Sequence, residues 1–148
     1  EVFSPVPIKS SLCLCLLLAA LASSAAAQEE PYTPERGDPV RQAVVDALRA
    51  PVQKELKKNV VFKINHLKVK GGWAFLRGVP QQPGGQPMDY QGTPYQQAIE
   101  DGVFDNEVCA LLRKQGSKWR VVTYSLGATD VVYEGWDKEY KAPSAIFK

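Results

Sequence analysis

The sequence contains very few of the side chains that carry most metal and nucleophilic chemistry. Its 148 residues include one histidine, His66, and three cysteines. A single histidine excludes histidine pairs for metal binding and the HExxH arrangement of zinc proteases. We therefore predict no metal site and no cofactor. We also assign no catalytic residue, so a non-enzymatic protein is the favoured interpretation.

The cysteines also exclude a disulfide framework. Cys13 and Cys15 lie in an apolar segment near the N-terminus, and Cys109 lies far from both in a second apolar stretch. If the first segment is removed, one cysteine remains, so no intramolecular disulfide can form. We expect Cys109 to be a small, inert core residue.

Neither sign of charge dominates, since 18 basic residues face 16 acidic ones and the formal net charge is +2. Such a balance gives no reason to expect a nucleic-acid partner. The longest uncharged apolar run, residues 12–21, is far short of the roughly 20 residues that a membrane-spanning helix needs. We predict no membrane span in the mature protein.

The first 27 residues have the three parts of a secretory signal peptide. Lys9 precedes the apolar run, and small residues follow it up to Ala27. This order predicts cleavage after Ala27 and a periplasmic or secreted location. Residues 28–37 are polar with two prolines and predict a flexible leader, and residues 38–148 predict a single domain.

That domain begins with a helix. Asp38 is a good capping residue, and Pro39 suits the first helical position. Apolar residues then recur every four positions, which predicts one buried stripe: Val40, Val44, Leu48, Val52 and Leu56. Pro51 lies inside this pattern and predicts a kink.

Strands follow the helix. Alternation of apolar and polar residues changes parity near His66, which predicts a bulge in the first strand. The nearly continuous apolar run at residues 108–112 predicts a central strand. Together the pattern predicts an α+β fold, with one kinked N-terminal helix packed on a curved antiparallel sheet of about four strands.

Side-chain alternation gives two further expectations. In the fourth strand, Trp119 and Val121 should share one face, and Val122 and Tyr124 the other. The helix can cover only one side of the sheet, so something else must cover the second side, and the candidates are the long loop at residues 80–93 and the tail from Thr129 to Phe147.

Aromatic residues are the best candidates for a binding site. If the second face is covered incompletely, an apolar cleft would remain, with Trp73, Tyr95 and Tyr124 at its edge as ligand-binding residues. Two other groups are alternatives for a pocket with acid–base chemistry. One is His66, and the other is a group of carboxylates: Asp101, Asp105 and Glu107.

Several short segments carry a resemblance. They read GDPVR at residues 37–41, GWAF at 72–75, KWRVVTY at 118–124 and GATDV at 127–131. Together they resemble a group of uncharacterised exported bacterial proteins, over most of the mature chain. The order of helix and sheet is similar to cystatin-like and nuclear-transport-factor-like domains. That resemblance implies a scaffold that hosts binding proteins, inhibitors and some enzymes, and it assigns no catalytic residue.

Three functions are therefore kept open. The first is a periplasmic or secreted non-enzymatic binding domain for a small apolar ligand or an envelope protein partner. The second is a small hydrolase or isomerase whose pocket uses His66 or the acidic group. The third is an inhibitor or accessory subunit of an envelope enzyme, with the long loop acting as a wedge.

Overall fold

The computed structural model describes residues 29–148, and the predicted signal peptide lies outside the described residues. Within these residues, the chain forms one long helix, a four-stranded sheet and three short helical segments. In order they are α1 (Pro39–Leu56), β1 (Val61–Lys70), β2 (Trp73–Gln81), α2 (Gln96–Glu100), β3 (Val108–Gln115), β4 (Lys118–Leu126), α3 (Trp136–Glu139) and a 3-10 turn (Ser144–Phe147).

Helix α1 begins as its sequence predicts. The Asp38 carboxylate accepts a hydrogen bond from the Val40 amide at 2.7 Å, which satisfies one of the free N–H groups of the first turn. The predicted stripe is buried at Val44, Leu48, Val52 and Leu56. Pro51 lies inside the helix, and the kink expected there stays a prediction.

The four strands form one antiparallel sheet in the order β1-β2-β3-β4. Strand β3 is therefore an inner strand, as its continuous apolar run predicts. A helix packed on an open four-stranded antiparallel sheet confirms the predicted α+β class. Within residues 29–148, no helix is both long enough and apolar enough to cross a membrane.

Two bulges set which side chains face the helix. The pairing of β1 with β2 shifts between Ile64 and His66, so Ile64 and Leu67 both pack on the helix side. This confirms the irregularity predicted near His66. A second shift, beside Val122 in β4, places Tyr124 on the same side as Val121. The predicted strict alternation in β4 is therefore wrong, because the extra residue resets the parity.

The sheet has a core on each face. On the helix side, Ala110 and Leu112 of β3 pack with α1. On the opposite side, which we call the far face, Phe75 and Leu111 pack beneath Ile146 of the C-terminal tail. The tail therefore covers the second side.

The long loop does not share that role. It inserts Met88 and Tyr90 into the helix-side core instead. The expectation that this loop covers the second side is wrong.

The segment before α1, predicted to be a flexible leader, lies along the edge of the sheet. Tyr32 exchanges two backbone hydrogen bonds with Val69 of β1, at 3.0 and 2.8 Å. Pro34 is fully buried, and its carbonyl accepts a hydrogen bond from the Arg41 guanidinium at 3.1 Å. These contacts tie the described part of the leader to the domain.

Candidate functional site

Two of the three aromatic residues predicted to bind a ligand come together in the structure. Tyr95 precedes α2 and Tyr124 lies on β4, and both phenols reach Glu55 in the last turn of α1. Trp73 lies on the far face of the sheet. It is separated from the two tyrosines by the sheet itself, so the three residues do not line one cleft.

Glu55 accepts one hydrogen bond at each carboxylate oxygen. The Tyr95 phenol donates to Oε1 and the Tyr124 phenol to Oε2, each across 2.5 Å. Hydrogen bonds to an ionised acceptor are short and stronger than those between neutral groups. This carboxylate therefore joins three parts of the chain that are far apart in sequence.

The surroundings keep both phenols protonated. Burial, and then the hydrogen bond to Glu55, raise the pKa of Tyr124 to about 12. The same two causes, in the same order, raise the pKa of Tyr95 well above its ordinary value. Both groups are therefore hydrogen-bond donors at neutral pH and cannot act as general bases there.

The space beside Glu55 is occupied by aromatic rings. Phe104 packs 4.8 Å from the ring of Tyr90 and 5.6 Å from that of Tyr95, measured between centroids. Tyr90 also donates to the Asn106 side chain at 2.6 Å, and burial raises its pKa to about 12. The protein's own rings thus fill the space around Tyr95 on the helix side of the sheet.

An open groove of about 850 Å³ lies next to this cluster, between the C-terminal half of α1 and the long loop. Lys54 and Lys57 stand on its helix wall, and Pro83 and Met88 on its loop wall. Its walls therefore combine exposed positive charge with apolar surface.

The loop wall is held in place by Lys58. Its ammonium group donates to the Asp89 carbonyl at 2.7 Å, to the Asp89 carboxylate at 3.1 Å and to the Gln91 carbonyl at 2.8 Å. With Met88 buried beneath, the wall is preformed, so a ligand would not need to order it.

The tip of the same loop, residues 82–87, is exposed but has its own internal structure. The Gln82 amide donates to the Gln86 carbonyl at 2.9 Å, and the Gly85 amide to the Gln82 carbonyl at 2.9 Å. The Gln82 side chain donates to the Pro87 carbonyl at 2.8 Å. The tip is therefore an exposed turn that is closed by its own hydrogen bonds.

The alternative acid–base residues do not converge. His66 Nε2 lies 2.8 Å from the Ile146 carbonyl, where it holds the tail on the far face. Glu107 forms a two-pronged ion pair with Arg77, at 3.1 and 3.2 Å. Asp101 and Asp105 are exposed. Among residues 29–148, no three His, Cys, Asp or Glu side chains are placed to hold a metal ion.

Cys109 lies on β3 and is 6 % exposed. Burial, and then the nearby Glu107, raise the pKa of its thiol to about 11. The thiol is therefore un-ionised at neutral pH, as expected for a small core residue.

Sequence reasoning missed Glu55. Its position beside the buried stripe of α1, one residue before Leu56, was a weak signal, since a glutamate at the edge of an amphipathic helix is usually solvated. Its two partners come from β4 and from the segment before α2, and nothing local indicates that they meet there.

Comparisons with known proteins assign this chain to no family. The sequence matches no protein-family model, no curated protein and no solved structure. The resemblances to exported bacterial proteins, cystatin-like domains and nuclear-transport-factor-like domains therefore stay predictions.

Proposed function

We propose that this chain is a non-enzymatic binding domain that works outside the cytoplasm and recognises a protein partner of the cell envelope. The observation that carries the proposal is the preformed surface made by the groove and the loop tip at residues 82–87. An exposed, internally bonded turn beside a groove offers an ordered contact surface at a low entropic cost.

A small apolar ligand has less support. Such ligands usually need a concave apolar site that encloses most of their surface. Here Tyr90, Tyr95 and Phe104 fill the space beside Glu55, and the groove beyond them is open with lysines on one wall.

A hydrolase or isomerase also has less support. Both oxygens of Glu55 are engaged by Tyr95 and Tyr124, so a substrate would first have to displace a phenol. The inhibitor or accessory-subunit hypothesis is a special case of partner binding, in which the loop tip enters a cleft of an envelope enzyme.

Site-specific photocross-linking tests the proposal. A photoreactive residue at Gln86 on the loop tip should give one discrete protein adduct in the native envelope. The same residue at Val103, which is 58 % exposed on another part of the surface, is the control. An adduct of equal yield at both positions, or none at Gln86, would contradict recognition by the loop.

Export is tested separately. The N-terminus of protein recovered from outside the cytoplasm should begin at Gln28 or within about two residues of it, as the small-residue cleavage pattern predicts. Recovery of the intact leader on that material would contradict the proposed location.

A further inference from the structure

The four strands carry positive charge without any acidic residue. No aspartate or glutamate occurs in β1, β2, β3 or β4, and the acidic residues lie in the helices, loops and tail. Most of the basic residues fall near the two hairpin turns, at residues 71–72 and 116–117. They are Lys68, Lys70, Arg113, Lys114, Lys118 and Arg120, and we call this region the hairpin end.

The strand register places several of these cations in one row across the far face. Lys70 pairs with Trp73, Trp73 with Arg113, and Arg113 with Arg120. Because directly paired residues of an antiparallel sheet point to the same face, the four side chains lie side by side. Adjacent strands are about 4.8 Å apart, so the row is roughly 14 Å long.

The row is built around Trp73. The Arg113 guanidinium lies 5.0 Å above the centre of its indole ring, a distance typical of a cation–π contact. This contact orients Arg113 without neutralising its charge.

Within residues 29–148, no ion pair involves any cation of the hairpin end. Arg113 and Arg120 are directly paired like charges, an arrangement that destabilises a sheet. Glu29 does lie close by, with its carboxylate 3.3 Å from the Gly71 amide. Within the described residues, the positive charge at this end is therefore not neutralised by direct ion pairs.

The shape of this end favours a flat anionic surface as its counterpart. Four of the cations, Arg113, Lys114, Lys118 and Arg120, are exposed at the strand ends beside the two glycine turns. The turn residues Gly71, Gly72 and Gly116 have no side chains that would hold a surface away. An acidic peptide would make more contacts in a concave site, whereas a membrane surface is flat and repeats its charge in two dimensions.

We propose that the hairpin end is a peripheral contact site for anionic lipid headgroups, formed by the basic row around Trp73 together with Lys68, Lys114 and Lys118. The site is independent of the protein partner proposed for the loop, and the two can be engaged at once. The loop tip adjoins the other end of the sheet, because the β2 strand runs from Trp73 at the hairpin end to Gln81 at the loop.

Vesicle binding of the exported protein tests the site, with intact mass used to verify that the leader is absent. We expect binding to phosphatidylcholine vesicles that contain about one third phosphatidylglycerol, and none to phosphatidylcholine alone. Binding should weaken as salt is raised, because the charges at the surface are screened over about 8 Å at physiological ionic strength.

A triple variant, R113Q/K118Q/R120Q, should lose roughly fivefold in affinity per cation, about a hundredfold in all. The matched control, R36Q/K63Q/K148Q, removes the same charge from exposed positions outside both the hairpin end and the groove, and should bind within about threefold of the parent protein. R113K/R120K keeps the charge and should also keep the binding, which separates charge from folding.

Three results would overturn the proposal. They are equal binding to neutral vesicles, equal losses in the triple variant and its control, and binding to poly-glutamate without binding to anionic vesicles. The last result would assign the hairpin end to an acidic protein instead.

Discussion

The Tyr124 phenol donates a hydrogen bond to the Glu55 carboxylate, with 2.5 Å between the two oxygens. This contact joins the last turn of α1 to the end strand β4, and Tyr95 occupies the other carboxylate oxygen. The end of the helix is therefore fixed to the sheet and to the segment before α2 through one side chain. We infer that Glu55 mainly stabilises the wall of the groove.

The contribution of this contact can be measured with a double-mutant cycle. Tyr124→Phe and Glu55→Gln should each lower the free energy of unfolding by about 1 kcal/mol, because a charge-assisted hydrogen bond is lost at a half-buried site. The double variant should lose less than the sum, with a coupling of at least about 0.5 kcal/mol. Urea denaturation of the four proteins gives these values.

Tyr140→Phe is the matched control for that cycle. Tyr140 packs edge-on against Trp136 on the far face, 6.4 Å between ring centroids, away from Glu55. Its replacement should be additive with Glu55→Gln. Additive losses for Tyr124→Phe and Glu55→Gln would mean that the bond contributes nothing specific.

Stability should fall at alkaline pH. The folded state raises the pKa of Tyr124 to about 12, above the ordinary value of 10.0 that the unfolded chain has. The folded state therefore favours the protonated phenol, and its contribution is complete below pH 10 and is lost as the pH rises towards 12. Denaturation at pH values from 10 to 12 should show a smaller fall in the free energy of unfolding for Tyr124→Phe than for the parent protein. Equal losses would contradict the assignment.

An element of the fold could be predicted where it changes the local pattern of apolar and polar residues. The bulge in β1 was predictable because the apolar parity changes near His66. The bulge in β4 was not, because Val121, Val122 and Thr123 are all β-branched, and an extra residue among them leaves no break in the pattern. That one residue decides on which face Tyr124 lies.

The candidate site was predicted in part for a similar reason. Tyr95, which flanks the long loop, and Tyr124, which lies on a predicted strand, were chosen as aromatic residues that could stand at the edge of an apolar cleft. Trp73 could not be separated from them, since β2 begins with four consecutive apolar residues and both of its faces are buried. Alternation tells which residues share a face but not which face meets the helix.

Alanine substitutions at Leu48 and Tyr95 compare how strongly each side chain contributes to the free energy of unfolding. Leu48 is fully buried, so Leu48→Ala should cost about 2–5 kcal/mol of unfolding free energy. Tyr95 packs against Phe104 and bonds to Glu55, so Tyr95→Ala should cost about 2 kcal/mol, more than a tyrosine at the rim of an open cleft would. If Tyr95→Ala lowers the free energy of unfolding by less than about 0.5 kcal/mol, the range of ordinary surface changes, then Tyr95 is not packed as described and stands at the rim of an open cleft.

The Cys109 thiol should react only when the domain unfolds. It is buried, and its pKa of about 11 leaves very little thiolate at neutral pH. A chromogenic disulfide reagent should label native protein slowly and urea-unfolded protein at once.

The melting temperature should be unchanged by reductant and by EDTA, and a fall of several degrees in EDTA would reveal a metal that the described residues do not indicate.

Gly127 should be far less tolerant of alanine than Gly116, although both have positive φ angles, 84° and 61°. A Cβ at Gly127 would overlap the ring of Phe104, which is held by Tyr90 and Tyr95, whereas a Cβ at Gly116 would meet nothing within 4 Å. Gly116→Ala should cost about 1 kcal/mol from backbone strain alone. Gly127→Ala should cost about 3 kcal/mol, because overpacking adds to the strain.

A background that carries Phe104→Ala separates the two contributions at Gly127. Removal of the ring opens the space that the new methyl group needs, so Gly127→Ala should then cost about as much as Gly116→Ala does. Denaturation midpoints of the two single variants and the double variant measure this. If Gly127→Ala costs the same with and without the ring, then backbone strain explains the whole loss. Phe104 would then not be packed against the Gly127 backbone, and the aromatic cluster beside Glu55 would be looser than its ring distances indicate.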